Sequence, residues 1–389
     1  VKSLIIYALI IMTLPAFALD ELVEKKEFKV GTYETVSGAI IPDVKIGYET
    51  YGKLNADKSN AILIAHYFTG NSHAAGKYTQ DDKTPGYWDA VIGPGKPFDT
   101  EKYFIISSDT LVNLNSQDPK TITTGPASVN PKTKKTWGMS FPIVGVRDFV
   151  RVQKKLLESL GISKLLAVAG ASGGAMQALT WGAMYPETVP RVVAVIGPGF
   201  SLPPYTIALL NLWSAPIKLD PAWKNGSYGK KPPVKGMTEA LKILTHSSLS
   251  FGWGEVTGGG DEKPGQDPLK AWSNHYAIEG VLHSRAEGRA AVLDPNSLLY
   301  MARAIQSYNI EKEVSQINAD ILFLPASTDM IFPAELSLKA ARSFCDQNKR
   351  AALKVIEGRG GHLDGIFKIH EVGEEISTFL QGKMKFCQF

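Results

Sequence analysis

Leu165-Leu166-Ala167-Val168-Ala169-Gly170-Ala171-Ser172-Gly173-Gly174 carries a short apolar run straight into a serine set among small residues, and a helical pattern leaves it from Gly173 to about Tyr185. An apolar run this short fits a buried strand by length and composition. Gly170-Ala171-Ser172-Gly173-Gly174 fits G-x-S-x-G. A strand that hands a serine directly to a helix must turn sharply, and small neighbours let the backbone take that strained turn. The hydroxyl then stands above the sheet, beside the amides of a helix N-terminus. G-x-S-x-G alone is weak evidence; between a buried strand and a helix it points to a nucleophile.

Similar apolar runs flank this one at residues 61–65, 103–107, 192–196, 321–324 and 353–356. Continuous apolar strands separated by helical patterns predict a mostly parallel sheet with helices on both faces. The alternation lapses between about residues 197 and 296, a stretch holding Trp213, Trp223, Trp253, Trp272 and the glycine run 258–260. It follows one core strand and precedes the next, so it reads as a lid insertion over the C-terminal ends of the strands. The expected organisation is a core of residues 19–196 and 297–389, with the lid at 197–296.

A nucleophilic serine needs a base, and the base needs an orienting acid. After an elbow of this kind the chain order is Ser, then Asp or Glu, then His. Of the 7 histidines only His362 and His370 lie near the C-terminus. His362 follows Gly358-Arg359-Gly360-Gly361 just after a strand, where an imidazole reaches the site; His370 sits on a helical pattern and reads as a surface or packing residue. Asp329 falls in the loop after strand 321–324. Asp320 precedes that strand and faces the wrong end of the sheet, and Asp346 belongs to a later helix. The oxyanion hole needs two convergent N–H donors. We assign them to Gly173, next to the nucleophile, and to Phe68, in the loop His66-Tyr67-Phe68-Thr69-Gly70. His66 and His73 have poor spacing for a metal and no acidic or cysteine companions in sequence, so both read as structural.

The chain has 389 residues, 44% hydrophobic and 21% charged, with a net charge of +4. That composition excludes disorder as the main state, and no period or basic stripe points to a repeat protein or a nucleic-acid partner. Gly93-Pro94-Gly95-Lys96 lacks the spacing and the hydroxyl residue of a phosphate loop, and no G-x-G-x-x-G opens a helix. No cofactor and no metal are expected. Lys2 precedes an apolar run from Leu4 to Leu14, then Pro15 and Ala16-Phe17-Ala18. This is the pattern of a secretory signal over residues 1–18, too short to span a bilayer comfortably. It predicts an exported, periplasmic or secreted protein beginning near Leu19, with no stable membrane span in the mature chain. Cys345 and Cys387 would then meet an oxidising compartment; sequence leaves open whether they pair.

The residues also resemble a known family. Gly47-Tyr48-Glu49-Thr50-Tyr51-Gly52-Lys53-Leu54-Asn55, Thr69-Gly70-Asn71-Ser72-His73-Ala74-Ala75-Gly76, Ile92-Gly93-Pro94-Gly95-Lys96, Thr124-Gly125-Pro126-Ala127-Ser128-Val129-Asn130-Pro131, Arg147-Asp148 and Asp294-Pro295-Asn296-Ser297 stand in the order of the homoserine O-acetyltransferases, acyltransferases of the α/β-hydrolase fold. The resemblance covers most of residues 45–380. It implies that Ser172, Asp329 and His362 form a catalytic triad, and that an acyl-serine drawn from acyl-CoA is passed to a hydroxyl.

Four departures stand out. Gly173-Gly174-Ala175 follows the serine where the family carries Met and two glycines. The family's arginine at the lid has no counterpart, and residues 192–217 hold no charge at all. Leu363 separates His362 from Asp364, where the family places Asp directly after His. The family's biosynthetic members are cytoplasmic. These features put an exported carboxylic-ester hydrolase first, acting on neutral or apolar small-molecule acyl esters without transfer to homoserine. An O-acyltransferase, with acyl-CoA as co-substrate, comes second, and an inactive binding protein of the same fold third. A homodimer is compatible with the sequence.

Overall fold

The computed structural model describes residues 22–257 and 260–389, so the secretory pattern at residues 1–18 lies outside it. Ten strands form. They are β1 (Lys26–Glu34), β2 (Ile40–Tyr51), β3 (Ala61–Ala65), β4 (Ile92–Gly93), β5 (Phe98–Asp99), β6 (Phe104–Ser108), β7 (Ala167–Ala171), β8 (Arg191–Val195), β9 (Asp320–Leu324) and β10 (Ala351–Leu353). Eight of them make one sheet in the order β1-β2-β6-β3-β7-β8-β9-β10, while β4 and β5 pair separately. From β6 to β10 every pairing is parallel; β1–β2 and β2–β6 are antiparallel. The mostly parallel α/β sheet is as expected from the apolar runs. The leading hairpin is not announced by such runs, because β2 alternates buried and exposed residues as an outer strand does.

Side chains on β3 show why the core has two halves. Leu63 joins the cluster containing Phe149, Leu156, Trp181 and Phe344, whereas Ile62 and Ile64 join the cluster containing Trp88, Phe98, Ile376 and Phe379. Successive residues point to opposite faces, so a strand apolar throughout must be covered on both. Helices α1 (Val146–Ser159), α2 (Gly173–Met184) and α8 (Ala334–Cys345) supply the first cover, and α10 (Gly373–Leu380) the second. Each fully buried Ile, Leu or Phe in these layers stabilises the fold by about 1.5–3 kcal/mol.

Residues 197–296 form α3 (Pro204–Leu219), α4 (Val234–Ser247), α5 (Phe251–Val256) and α6 (Ala277–Ala290), and α7 (Pro295–Gln306) follows. α4 packs against both α3 and α6, and α3 packs against α7. Asp294 caps α7 by accepting the Ser297 N–H at 2.7 Å, and its other oxygen takes the Tyr228 hydroxyl. Asn296 accepts from Trp223 Nε1 at 2.8 Å and donates to the Gly226 carbonyl at 2.9 Å. The Asp-Pro-Asn-Ser segment thus fastens the helical insertion where the chain returns to the core. Helices α9 (Asp364–Phe367) and α10 close the chain, and Cys345 is bonded to Cys387. Among the described residues no helix is long and apolar enough to cross a membrane.

Candidate active site

Ser172 has φ 56° and ψ −115°, a left-handed backbone between the end of β7 and the start of α2. Its N–H is held by the Val195 carbonyl at 2.9 Å. The flanking glycines are required by close approach. A Cβ on Gly174 would lie 2.0 Å from the Ala65 carbonyl oxygen, and one on Gly170 would lie 2.4 Å from the Gly174 backbone. The turn that exposes the serine therefore exists only where β3, β7 and α2 touch backbone to backbone.

Ser172 Oγ lies 2.9 Å from His362 Nε2, and His362 Nδ1 lies 2.6 Å from Asp329 Oδ2. The carboxylate fixes the proton on Nδ1, so Nε2 accepts the serine proton. Asp329 is itself held: its Oδ1 accepts the N–H groups of Ile331 at 2.8 Å and Phe332 at 2.9 Å. Phe332 lies edge-on to the imidazole, with centroids 5.5 Å apart. Thr328 joins the two loops, donating to the Gly358 carbonyl at 3.0 Å and accepting the Gly361 N–H at 3.1 Å. All three members of the set are more than nine-tenths buried. The structure thus brings Ser172, Asp329 and His362 together. His370 is exposed, and Asp320 at the start of β9 pairs with Arg350 at 2.6 Å, far from this end of the sheet.

Phe68 and Gly173 lie close together on the lining of one cavity. A Cβ on Gly173 would stand 3.6 Å from the Phe68 nitrogen. Among the described residues neither amide donates to a protein acceptor. The loop carrying Phe68 is braced from below. Asn113 and Asn115 both donate to the Gly70 carbonyl, at 3.0 and 3.1 Å, and Asn113 contacts His66 Nε2 at 3.2 Å. His66 is buried, and burial pushes its pKa down, so it is a neutral structural group. His73 donates to Glu49 at 3.0 Å. Glu49 also takes Lys25 at 2.8 Å, Tyr78 at 2.7 Å and Tyr51 at 2.8 Å. Burial alone would raise the Glu49 pKa, but the bonds from His73, Lys25 and Tyr78 bring it down to about 2. Both histidines are structural, as the sequence suggested.

A cavity of about 500 Å³ opens over Ser172. One wall is apolar: Phe68, Met176, Leu210, Trp213, Ile305 and Ile331. Leu363, the residue standing where the family has Asp, also lines it. Asp364 instead turns into the loop beneath, accepting the Gly360 N–H at 2.8 Å, and burial pushes its pKa up. The stretch 192–217 brings no charge to the cavity, as its sequence requires, yet the cavity is not uncharged. Arg285 and Arg289 line the cavity from α6. Neither was singled out in the sequence, because α6 lies more than a hundred residues beyond the elbow and only the fold returns it there. Arg191 and Lys218, which bracket the uncharged stretch, do not line the cavity.

The chain resembles known proteins in sequence and fold. Residues 60–250 match the family model for the alpha/beta hydrolase fold. The homoserine O-acetyltransferase of Geobacter sulfurreducens is 38% identical over 354 residues, spanning 87% of this chain and 93% of that protein. The crystal structure of the homoserine O-acetyltransferase from Bacillus anthracis superposes with a TM-score of 0.89 at 35% identity, covering 95% of this chain and 100% of that one. The crystal structure of esterase E22 also superposes with a TM-score of 0.89, at 44% identity over 92% of this chain and 100% of that one. On an identity of this extent the chain belongs to the homoserine O-acetyltransferase family of α/β-hydrolase-fold enzymes.

Proposed function

We propose that the protein transfers an acyl group through an acyl-Ser172 intermediate to a hydroxyl acceptor. The observation that carries this reading is the Ser172–His362–Asp329 chain, with its 2.9 and 2.6 Å links, beneath the Phe68 and Gly173 amides. Ser172 Oγ attacks the acyl carbon of an ester or thioester as its proton passes to His362 Nε2. The two amides stabilise the oxyanion, and the leaving group departs with the proton from Nε2. An acceptor hydroxyl then gives its proton to Nε2 and attacks the acyl carbon, and the Oγ–C bond breaks as Nε2 returns that proton to Oγ. Asp329 holds the imidazole in the working tautomer throughout. Residues 197–296 serve as the lid, whose helices limit water so that a bound alcohol competes through effective molarity.

The family supports transfer over the ester hydrolysis that the sequence put first. Hydrolysis is the second reading. It is favoured by the likeness to esterase E22 and by Leu363, an apolar side chain in the cavity where the family has a carboxylate. The N-terminal pattern and the Cys345–Cys387 bond support work outside the reducing cytoplasm, with an ester rather than acyl-CoA as donor. The test is acylation by 4-nitrophenyl acetate or acetyl-CoA with and without millimolar alcohols. Transfer predicts acetylated alcohol as the main product, with nitrophenol release accelerated by the acceptor. Acetate as the sole product at every acceptor concentration leaves hydrolysis. Failure of an organophosphonate to label Ser172 overturns both.

A further inference from the structure

Arg285 and Arg289 are four residues apart on α6, so both side chains leave the same face of that helix. That face is a wall of the cavity above Ser172 and His362. Arg289 is half-buried, and among the described residues no carboxylate lies within ion-pair distance of either guanidinium. The acidic neighbours on α6 are occupied elsewhere: Glu279 faces His275 and Glu287 faces His283, at 3.8 and 3.7 Å. Arg285 lies over the ring of Trp253 on α5, 5.4 Å from its centroid, which steadies the head group at the cavity mouth. Burial works against the charge of Arg289, with the nearby Tyr67 opposing that effect. A guanidinium stays protonated in proteins, so the charge persists without a countercharge.

A half-buried, unpaired cation in a catalytic cavity is costly to the empty protein and is relieved by an anion. We propose that Arg289, assisted by Arg285, is the binding site for a carboxylate carried by the substrate of Ser172. The site is on α6 and not in residues 192–217, where the sequence suggested that the family's own arginine had been lost. The cavity then has two chemistries. The wall of Phe68, Trp213 and Ile305 beside the elbow suits an apolar acyl chain, and the α6 wall suits an anionic alcohol half. This inference rests on the acyl-Ser172 reading, and it adds to that reading the charge and placement of the substrate's far end.

Two matched ester pairs test it. One pair is 4-acetoxybutanoate and its carboxamide, with the charge on the alcohol half. The other is monoethyl glutarate and its carboxamide, with the charge on the acyl half. The expected result is a carboxylate-over-carboxamide preference in kcat/KM of roughly 10- to 100-fold, the scale of a hydrogen-bonded charge pair. We expect it in the first pair. The preference collapses towards unity in Arg289→Gln, survives in part in Arg289→Lys, and weakens in Arg285→Gln. A preference confined to the second pair keeps the site and reverses the assignment of the two halves. A preference near unity in both pairs, or one unchanged in a folded Arg289→Gln, overturns the proposal. Calorimetry on Ser172→Ala with 4-acetoxybutanoate separates this failure from failure of the acyl-serine reading. Binding that is lost in Ser172→Ala/Arg289→Gln while wild type resists phosphonate labelling upholds the site and removes the chemistry. Absence of carboxylate binding with normal labelling does the reverse.

Discussion

Ser172 holds a backbone conformation that an L-residue rarely adopts, and the glycines around it leave space for nothing larger. Its hydroxyl is small and, among the described residues, makes its one side-chain hydrogen bond to His362. Ser172→Ala should therefore keep the fold while kcat/KM falls by at least about three orders of magnitude. His362→Ala should match it, since residues that act as a unit do not contribute additively. Asp329→Asn should be equal or milder. Ester kinetics beside circular dichroism check all three, and a Ser172→Ala rate within a few-fold of wild type removes the nucleophile assignment. The triad was legible in sequence because each member sits at a signal that is local: an elbow, a loop after a strand, a glycine-rich turn. Arg289 was not legible. Its helix has no motif, and only the packing of α6 on α4 brings it to the cavity.

At the level of elements, the elbow depends on how closely α2 approaches β3. Gly174→Ala would drive a methyl into the Ala65 carbonyl, and two backbones must separate to admit it. A loss of stability of more than about 2 kcal/mol is expected by denaturant unfolding, together with reduced acylation. The loop after β3 depends on β2 in a different way, through Glu49. The folded pKa of Glu49 is about 2 against an ordinary 4.5. A depressed carboxyl stabilises the fold above its unfolded pKa, and that contribution fades as pH falls from about 4.5 towards 2, by roughly 3 kcal/mol in all. Glu49→Gln should thus be less stable than wild type at pH 6, and the gap should narrow at pH 3. Urea titrations at the two pH values measure it. The β1–β2 hairpin that carries Glu49 was missed in the sequence. Its strands alternate instead of running apolar, and β1 carries register shifts that blur its period.

For the whole molecule, the central sheet and its two-sided core were readable because parallel strands must be apolar on both faces. The pairing of Cys345 with Cys387 was not, since it depends on where the chain's end comes to rest. The Cα atoms stand 5.8 Å apart across 42 residues of chain. Closing a loop of that length stabilises a fold by up to about 4 kcal/mol through the unfolded state. Cys387→Ser should lower stability by roughly 2–4 kcal/mol in denaturant, with kcat/KM little changed because the bond is remote from the cavity lining. Reductant should reproduce the loss in wild type and leave the variant unaffected.

The same bond has a second effect. β10 is the last strand of the sheet and only three residues long, and the Cys387 N–H donates to the Ala351 carbonyl on it at 2.8 Å. Phe386 lies beside Arg350 at 5.0 Å and against Phe379. The tail therefore covers part of an edge that would otherwise offer unpaired backbone groups to another copy. Cutting the tether frees that edge while the active site is still intact, so reduced protein should scatter light and self-associate before it loses turnover.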